Sequence, residues 1–394
     1  MLYKLLQQRN LLLLTTALSG LTFSFMMPLM SLFLVDELKA EPFVIGVYMI
    51  AMTASGLIIS QWLGNLADRG FSTKTLFLLA MAAIALAAII YANTHSFWVV
   101  LVTGTLLVGL GNSSSPQILT LSRQYIEQTG QDVTRFNTLV RASFSLAWIA
   151  GPPFSFSLVA SLGFAAAFYA AALVAVINII IGYKVLPDYR KPKAAQVKQT
   201  HPPLSLTFWL LGLVMGLGSI SNSMYISAMP LHVLNELALP EYLPGVLMGM
   251  AAGLEIPFML YSARLTAYIN KNHLLVISFM AALLFYGGIY LATESWQLIS
   301  LQVLNGLYFG VFAGLGLTMV QELMPERIGF ASAFYTNCLR VGSMTGHAST
   351  GLIAQFMDFK STALFAFSAI LVAIVALIGF MIIQRSHRDT SATS

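Results

Sequence analysis

Charge is scarce in this chain. Asp, Glu, Lys and Arg together make up 9% of its 394 residues, against about 25% in a soluble domain. There is one cysteine, Cys338, which excludes an intrachain disulfide and a multi-cysteine metal site. No His-rich helix and no pair of mid-span acids is present, so the converging nucleophile, base or metal ligands of an embedded enzyme are missing. The polar tail from Arg385 to Ser394 is too short for the output domain of a sensor. No cofactor and no metal are expected.

What fills the chain instead is apolar: 58% of residues are hydrophobic and the mean hydropathy is +0.80. A soluble fold cannot hide that much apolar surface, so the composition predicts a polytopic, all-α membrane protein whose first partner is the lipid bilayer. Twelve apolar segments run over 10–35, 43–66, 74–93, 97–122, 136–159, 163–186, 205–228, 243–265, 274–293, 297–323, 330–354 and 361–384. Each approaches or exceeds the ~20 residues that cross a ~30 Å hydrocarbon core. The first, Leu11 to Val35, is too long for a signal-peptide core and reads as a retained span.

The formal net charge of +5 is a topology signal, not a nucleic-acid signal. Of twenty Lys and Arg, only Lys39 and Lys360 fall in odd-numbered loops, and Arg141 and Arg340 lie well inside spans; the other sixteen sit in the terminal tails, in even-numbered loops or at the span ends bordering those loops. By the positive-inside rule both termini are expected to be cytoplasmic.

The chain divides as 1–186, a six-helix half; 187–204, a polar basic linker; and 205–394, a second six-helix half. Asp36-Glu37-Leu38 with Gly46-Val47 repeats as Asn235-Glu236-Leu237 with Gly245-Val246, and Arg141 repeats as Arg340, every time at a shift of 199 residues. Repeated halves are a mark of transporters, whose substrate binds near the midplane.

One acid lies deep in an apolar run: Glu255, near the centre of Leu243–Leu265. A carboxylate there costs on the order of 2.5–3.5 kcal/mol by insertion scales. Desolvation raises the pKa of such a group and a nearby cation lowers it, so one that alternates between the two environments loads and releases a proton. Pro257 beside it removes a helix hydrogen bond. Arg141 and Arg340 are the intramembrane charge partners, and His347, seven residues after Arg340, is the second proton-coupling candidate. Cargo with many hydroxyls needs amides and aromatic faces; those at mid-span depth are Asn222, Asn305, Gln302, Asn337, Asn112 and Gln117, with Tyr48, Trp148, Tyr225 and Tyr308 as platforms.

The loop after the second segment reads Gly64-Asn65-Leu66-Ala67-Asp68-Arg69, with Lys74 further on and Phe71 and Ser72 between. It resembles the G-x-x-x-D-R-x-G-R-R/K loop of the major facilitator superfamily, with Phe71 standing at the second glycine. Three further stretches, 146–153 (LAWIAGPP), 247–257 (LMGMAAGLEIP) and 321–325 (QELMP), make the chain similar to the bacterial sugar efflux transporter family of that superfamily over nearly its full length. The resemblance implies two pseudo-symmetric six-helix halves rocking around a central cavity. It also implies a monomer in the bacterial inner membrane and proton-driven export of lactose, glucose and small glycosides, including thio-glycosides. In that architecture span five packs near span eight, which would let Arg141 approach Glu255, and Gly64, Asp68 and Arg69 gate the cytoplasmic side. The alternative is a proton-coupled exporter of drugs or other metabolites on the same fold; a membrane sensor or embedded enzyme is the remote one.

Overall fold

In a bilayer the backbone has no water to bond, so each crossing segment must satisfy its own N–H and C=O groups, and helices are the one-chain solution. The computed structural model describes residues 2–129, 133–186, 188 and 205–392. The basic linker expected at 187–204 therefore falls, apart from residue 188, outside the described residues. Among the described residues there are twelve long helices and no strand. They are α1 (Leu2–Met26, continued by short turns to Glu37), α2 (Phe43–Asp68), α3 (Thr73–Asn93), α4 (97–129, with a break at 112–113), α5 (Val133–Leu162) and α6 (Phe164–Val185). The second set is α7 (Leu206–Leu231, continued to Glu236), α8 (Leu243–Leu265), α9 (Lys271–Leu291), α10 (Ser295–Glu322), α11 (Ile328–Phe356) and α12 (Thr362–Ala392).

Eleven of these are long and apolar enough to cross a membrane. The exception is α11, whose 29 residues are ample in length but carry Asn337, Arg340, His347 and several Ser and Thr. Outer faces are apolar, with Val375, Leu284 and Ile382 exposed.

The chain forms two compact units. The first takes in Met1–Ala40, Val47–Lys198 and Pro244–Gly249; the second takes in Glu41–Gly46, Gln199–Leu243 and Met250–Ser394. In the first, α1 packs on α5 and α6, and α3 on α6 and α4. In the second, α7 packs on α11 and α12, and α9 on α12 and α10. The pairing is the same after a shift of six helices.

Cross-helix hydrogen bonds follow the same scheme. Ser24 Oγ donates to the Ala147 carbonyl at 2.9 Å and Asn178 Nδ2 to Ser19 Oγ at 2.9 Å, tying α1 to α5 and α6. Ser219 Oγ donates to the Leu339 carbonyl at 2.7 Å and Ser221 Oγ to that of Ala366 at 3.2 Å, tying α7 to α11 and α12. Such bonds contribute about 0.6 kcal/mol each in a membrane.

The repeat reaches the backbone. α1 and α7 both end in a π turn, Phe33–Glu37 and His232–Glu236. Leu38 N–H donates to Phe33 O and Ala40 N–H to Leu34 O; Leu237 N–H donates to His232 O and Leu239 N–H to Val233 O. Between the donors of each pair stands a non-glycine residue at positive φ, Lys39 at 53° and Ala238 at 51°. Every member is 199 residues from its counterpart.

Glycine sets the closest approach in the second unit. Gly306, Gly310 and Gly314 form one stripe along α10, four residues apart. A Cβ at Gly306 would lie 2.5 Å from Leu254 Cβ, at Gly310 2.6 Å from the Glu255 carbonyl, and at Gly314 2.9 Å from Met259 Cγ. α10 thus meets α8 backbone to backbone, and α8 runs unbroken through Pro257.

Substituting Gly310→Val forces these helices apart. We expect it to cost about 1–3 kcal/mol, read as a lower unfolding temperature of the purified protein in detergent. Gly253→Ala, where a Cβ meets nothing within 4 Å, should hold or raise it.

Candidate functional site

The glycine stripe fixes where Glu255 stands. Its backbone is clamped against α10, and its half-buried side chain leaves from the middle of α8. Glu255 is engaged in a polar or electrostatic interaction, not free. The side chain of Arg141, on α5, lies outside the described residues, so its expected approach to Glu255 does too. Arg340 is half-buried on α11. Two turns along the same helix, His347 Nδ1 meets Ser227 Oγ of α7 at 2.5 Å. Ser227 is fully buried, so this contact fixes the imidazole against α7.

Three of the polar side chains singled out from sequence converge inside the second unit. Gln302 Oε1 accepts from the Tyr225 hydroxyl at 3.3 Å and from Asn305 Nδ2 at 3.1 Å, while Gln302 Nε2 donates to the Leu298 carbonyl at 3.0 Å. All three are buried, and Asn305 Oδ1 has no partner within the protein. Tyr308 is sealed as well: its hydroxyl donates to the Gly218 carbonyl at 2.7 Å, and its ring packs among Phe279, Tyr286 and Phe312. In the first unit, the buried Tyr48 shares a 3.0 Å hydrogen bond with Tyr91, and Gln117 is also buried. Asn222, Asn112 and Trp148 are half-buried, and Asn337 is exposed. Asn112 sits on Gly56 of α2, where a Cβ would come 2.9 Å from its Nδ2.

The loop after α2 has an unexpected turn. Gly70, not the motif's second glycine, takes the left-handed conformation at φ 95°. Phe71 N–H donates to the Leu66 carbonyl and Gly70 N–H to that of Ala67, the Schellman pattern that ends helices. Ser72 then caps α3 by accepting from Thr75 N–H. Gly64 has no neighbour within 4 Å of a Cβ, and Arg69 is exposed. The side chain of Asp68 is outside the described residues. Lys74 donates to the Tyr183 carbonyl at 2.6 Å and lies over its ring, joining the start of α3 to the end of α6. Among the described residues no group of three or more His, Cys, Asp or Glu is placed to hold a metal ion.

Sequence comparison matches a model of the Major Facilitator Superfamily to residues 12–293 and 211–394. The chain belongs to the Major Facilitator Superfamily. It is therefore a multi-pass membrane transporter and not an enzyme. Within the superfamily it is 34% identical to sugar efflux transporter A of Dickeya chrysanthemi, over 91% of this chain and 92% of that one. It is 33% identical to sugar efflux transporter B of Salmonella typhimurium, over 91% of each. With sugar efflux transporter C of Escherichia coli it shares 31% identity, over 93% and 94%. Among solved structures, the nucleoside transporter NupG superposes with a TM-score of 0.78 at 16% identity, covering 95% of this chain and 99% of that one. A bacterial homologue of ferroportin in the inward-facing state gives 0.74 at 17%, covering 95% and 98%. At those identities the likeness is one of fold.

The Tyr225–Gln302–Asn305 cluster gives a direct check. Gln302→Leu strands the Tyr225 hydroxyl and the Asn305 amide in the core, so it should lower stability by about 1–3 kcal/mol for each group left unpaired. Thermal unfolding in detergent would register this, with Asn222→Leu as the milder comparison.

Proposed function

We propose that this facilitator exports a sugar or small glycoside from the cytoplasm in exchange for protons, by alternating access. The observation that carries the cargo is the 31–34% identity to sugar efflux transporters over at least nine-tenths of both partners. Proton coupling has a physical basis in Glu255, the one acid deep in an apolar span. Its backbone is pinned by the glycines of α10, so a change in its surroundings is felt at the carboxylate and not absorbed by movement of the helix. Desolvation favours the protonated form and a cation the ionised one. Arg141 is the cation we assign to that exchange, with Arg340 at the repeat-related position, and His347 is the second proton carrier.

Cargo contact falls to the amides and ring left accessible on their helices, Asn222, Asn337, Asn112 and Trp148. The sealed groups Tyr48, Gln117, Tyr225, Gln302, Asn305 and Tyr308 shape the helices behind them. Asp68 and Arg69 act at the cytoplasmic gate. The six-helix halves 1–186 and 205–394, joined by a cytoplasmic linker, are the moving bodies; both termini face the cytoplasm of a bacterial inner membrane, and the protein works as a monomer.

The test is uptake of lactose and a thio-glycoside into proteoliposomes under an imposed pH gradient, wild type against Glu255→Gln. Gradient-driven accumulation should vanish in the variant while passive exchange persists. Equal accumulation by both would remove Glu255 from coupling. No sugar flux in the wild type would overturn the cargo and favour an exporter of other metabolites.

A further inference from the structure

At the end of α7, within the second unit, a polar chain runs into a small cavity. His232 is 3% exposed. Its Nδ1 lies 2.5 Å from Glu236 Oε2, one π turn away. Glu236 also accepts the Phe359 N–H at Oε1, 2.6 Å away, and the Lys360 N–H at Oε2, 3.0 Å away, from the loop joining α11 to α12. With both carboxylate oxygens already accepting backbone N–H groups, Glu236 is the acceptor of this pair, and the imidazole N–H at Nδ1 points to it. The proton on a neutral His232 is thereby assigned, and Nε2 is left as an acceptor.

That Nε2 is buried and has no hydrogen-bond partner in the protein. His232 lines a cavity of about 10 Å³, together with Tyr225 and Tyr286. The Tyr286 hydroxyl is likewise buried without a hydrogen-bond partner. Its neighbour Tyr308 donates its own hydroxyl to the Gly218 carbonyl and meets Tyr286 edge-on, with ring centres 6.3 Å apart. Ile289, Ala366 and other apolar side chains complete the walls, with Lys360 and Thr362 on the side of the loop joining α11 to α12. A volume of this size admits one water molecule and nothing larger, and a water is what satisfies an orphan acceptor and an orphan hydroxyl together.

We propose that this cavity holds one ordered water between His232 Nε2 and Tyr286 Oη, and that Tyr286, the water, His232 and Glu236 form a proton-binding site. With His232 neutral the water donates to Nε2. A proton taken up by the ring goes to Nε2, which then donates to the water oxygen. Two carboxylates neighbour the imidazole: Glu236 touches it, and Asp358 lies in the adjoining loop. The Ser361 hydroxyl and N–H hold the Asp358 carboxyl below the usual carboxylate range, so Asp358 stays ionised as His232 titrates. The opposing charge, Lys360, is turned onto the Tyr290 ring, 4.6 Å from its centre. Tyr225 and Tyr286 line the site with their phenol rings.

The repeat supplies a contrast. The residue 199 positions earlier is Phe33, whose ring packs on Phe164, Phe168 and Tyr91. The first unit closes the same turn with an aromatic cluster; the second closes it with a titratable ring, a carboxylate and a cavity.

This site is separate from Glu255, and its test does not depend on transport. The full chain, labelled with ¹⁵N-histidine and placed in lipid nanodiscs, has six histidines, and the His232 signals are those missing in His232→Gln. At pH 8 they should show a neutral ring protonated at Nδ1, with magnetisation transfer from water to the ring. Toward pH 5 Nε2 should gain a proton. Tyr286→Phe, which keeps the ring and removes the hydroxyl, should weaken the water transfer. A ring that stays neutral throughout, or one protonated at Nε2 at pH 8, would overturn the proposal, as would absence of water transfer in the wild type. His232→Phe, which installs the residue of the first unit, should fold and lack the titration.

Discussion

Backbone contact between α8 and α10 is the constraint on which the second unit turns. In water, helices associate to hide apolar surface, but lipid tails are as apolar as leucine and provide no such drive. What remains is close packing and polar pairing. Gly306, Gly310 and Gly314 strip α10 of side chains along one line, and α8 settles into that line with the Glu255 carbonyl at its centre. The same economy appears at Ser24, Ser219 and Ser221, each donating to a carbonyl of a neighbouring helix. Small residues and short polar side chains position the helices here, while the large apolar ones face lipid or fill gaps.

Much of this was legible in the chain. Bilayer thickness fixes span length, so apolar runs could be counted, and the count of twelve agrees with the helices. α11 shows how that signal weakens: its polar residues drop it below the hydropathy of a spanning helix, and length and position in the repeat identify it. The shift of 199 residues, visible in a few letters around Asp36 and Asn235, proved to be a match of hydrogen bonds and backbone angles.

The rotation of each helix was not legible. α10 and α8 are apolar on nearly every face, so sequence places Gln302, Asn305 and Tyr308 at mid-depth without saying which way they point. The structure turns them into the core, where they bond to one another, to Tyr225 and to the backbone. Nor could pattern matching foresee that Gly70 ends α2 one position before the motif's glycine; the chain meets the need for a left-handed residue with the glycine it has. His232 went unnoticed because a polar residue at a span end is ordinary. Its signal was the register with Phe33, which only the shared turn makes meaningful.

That shared turn also says what the two halves have in common beneath their side chains. A π turn accommodates one residue more than an α-helix would and costs good geometry, and a non-glycine residue at positive φ is uncommon. Finding both, in the same order and 199 residues apart, makes the irregularity a property of the repeat and not of either half. The side chains at its first position differ, Phe33 and His232, so one backbone device carries a different chemistry in each half.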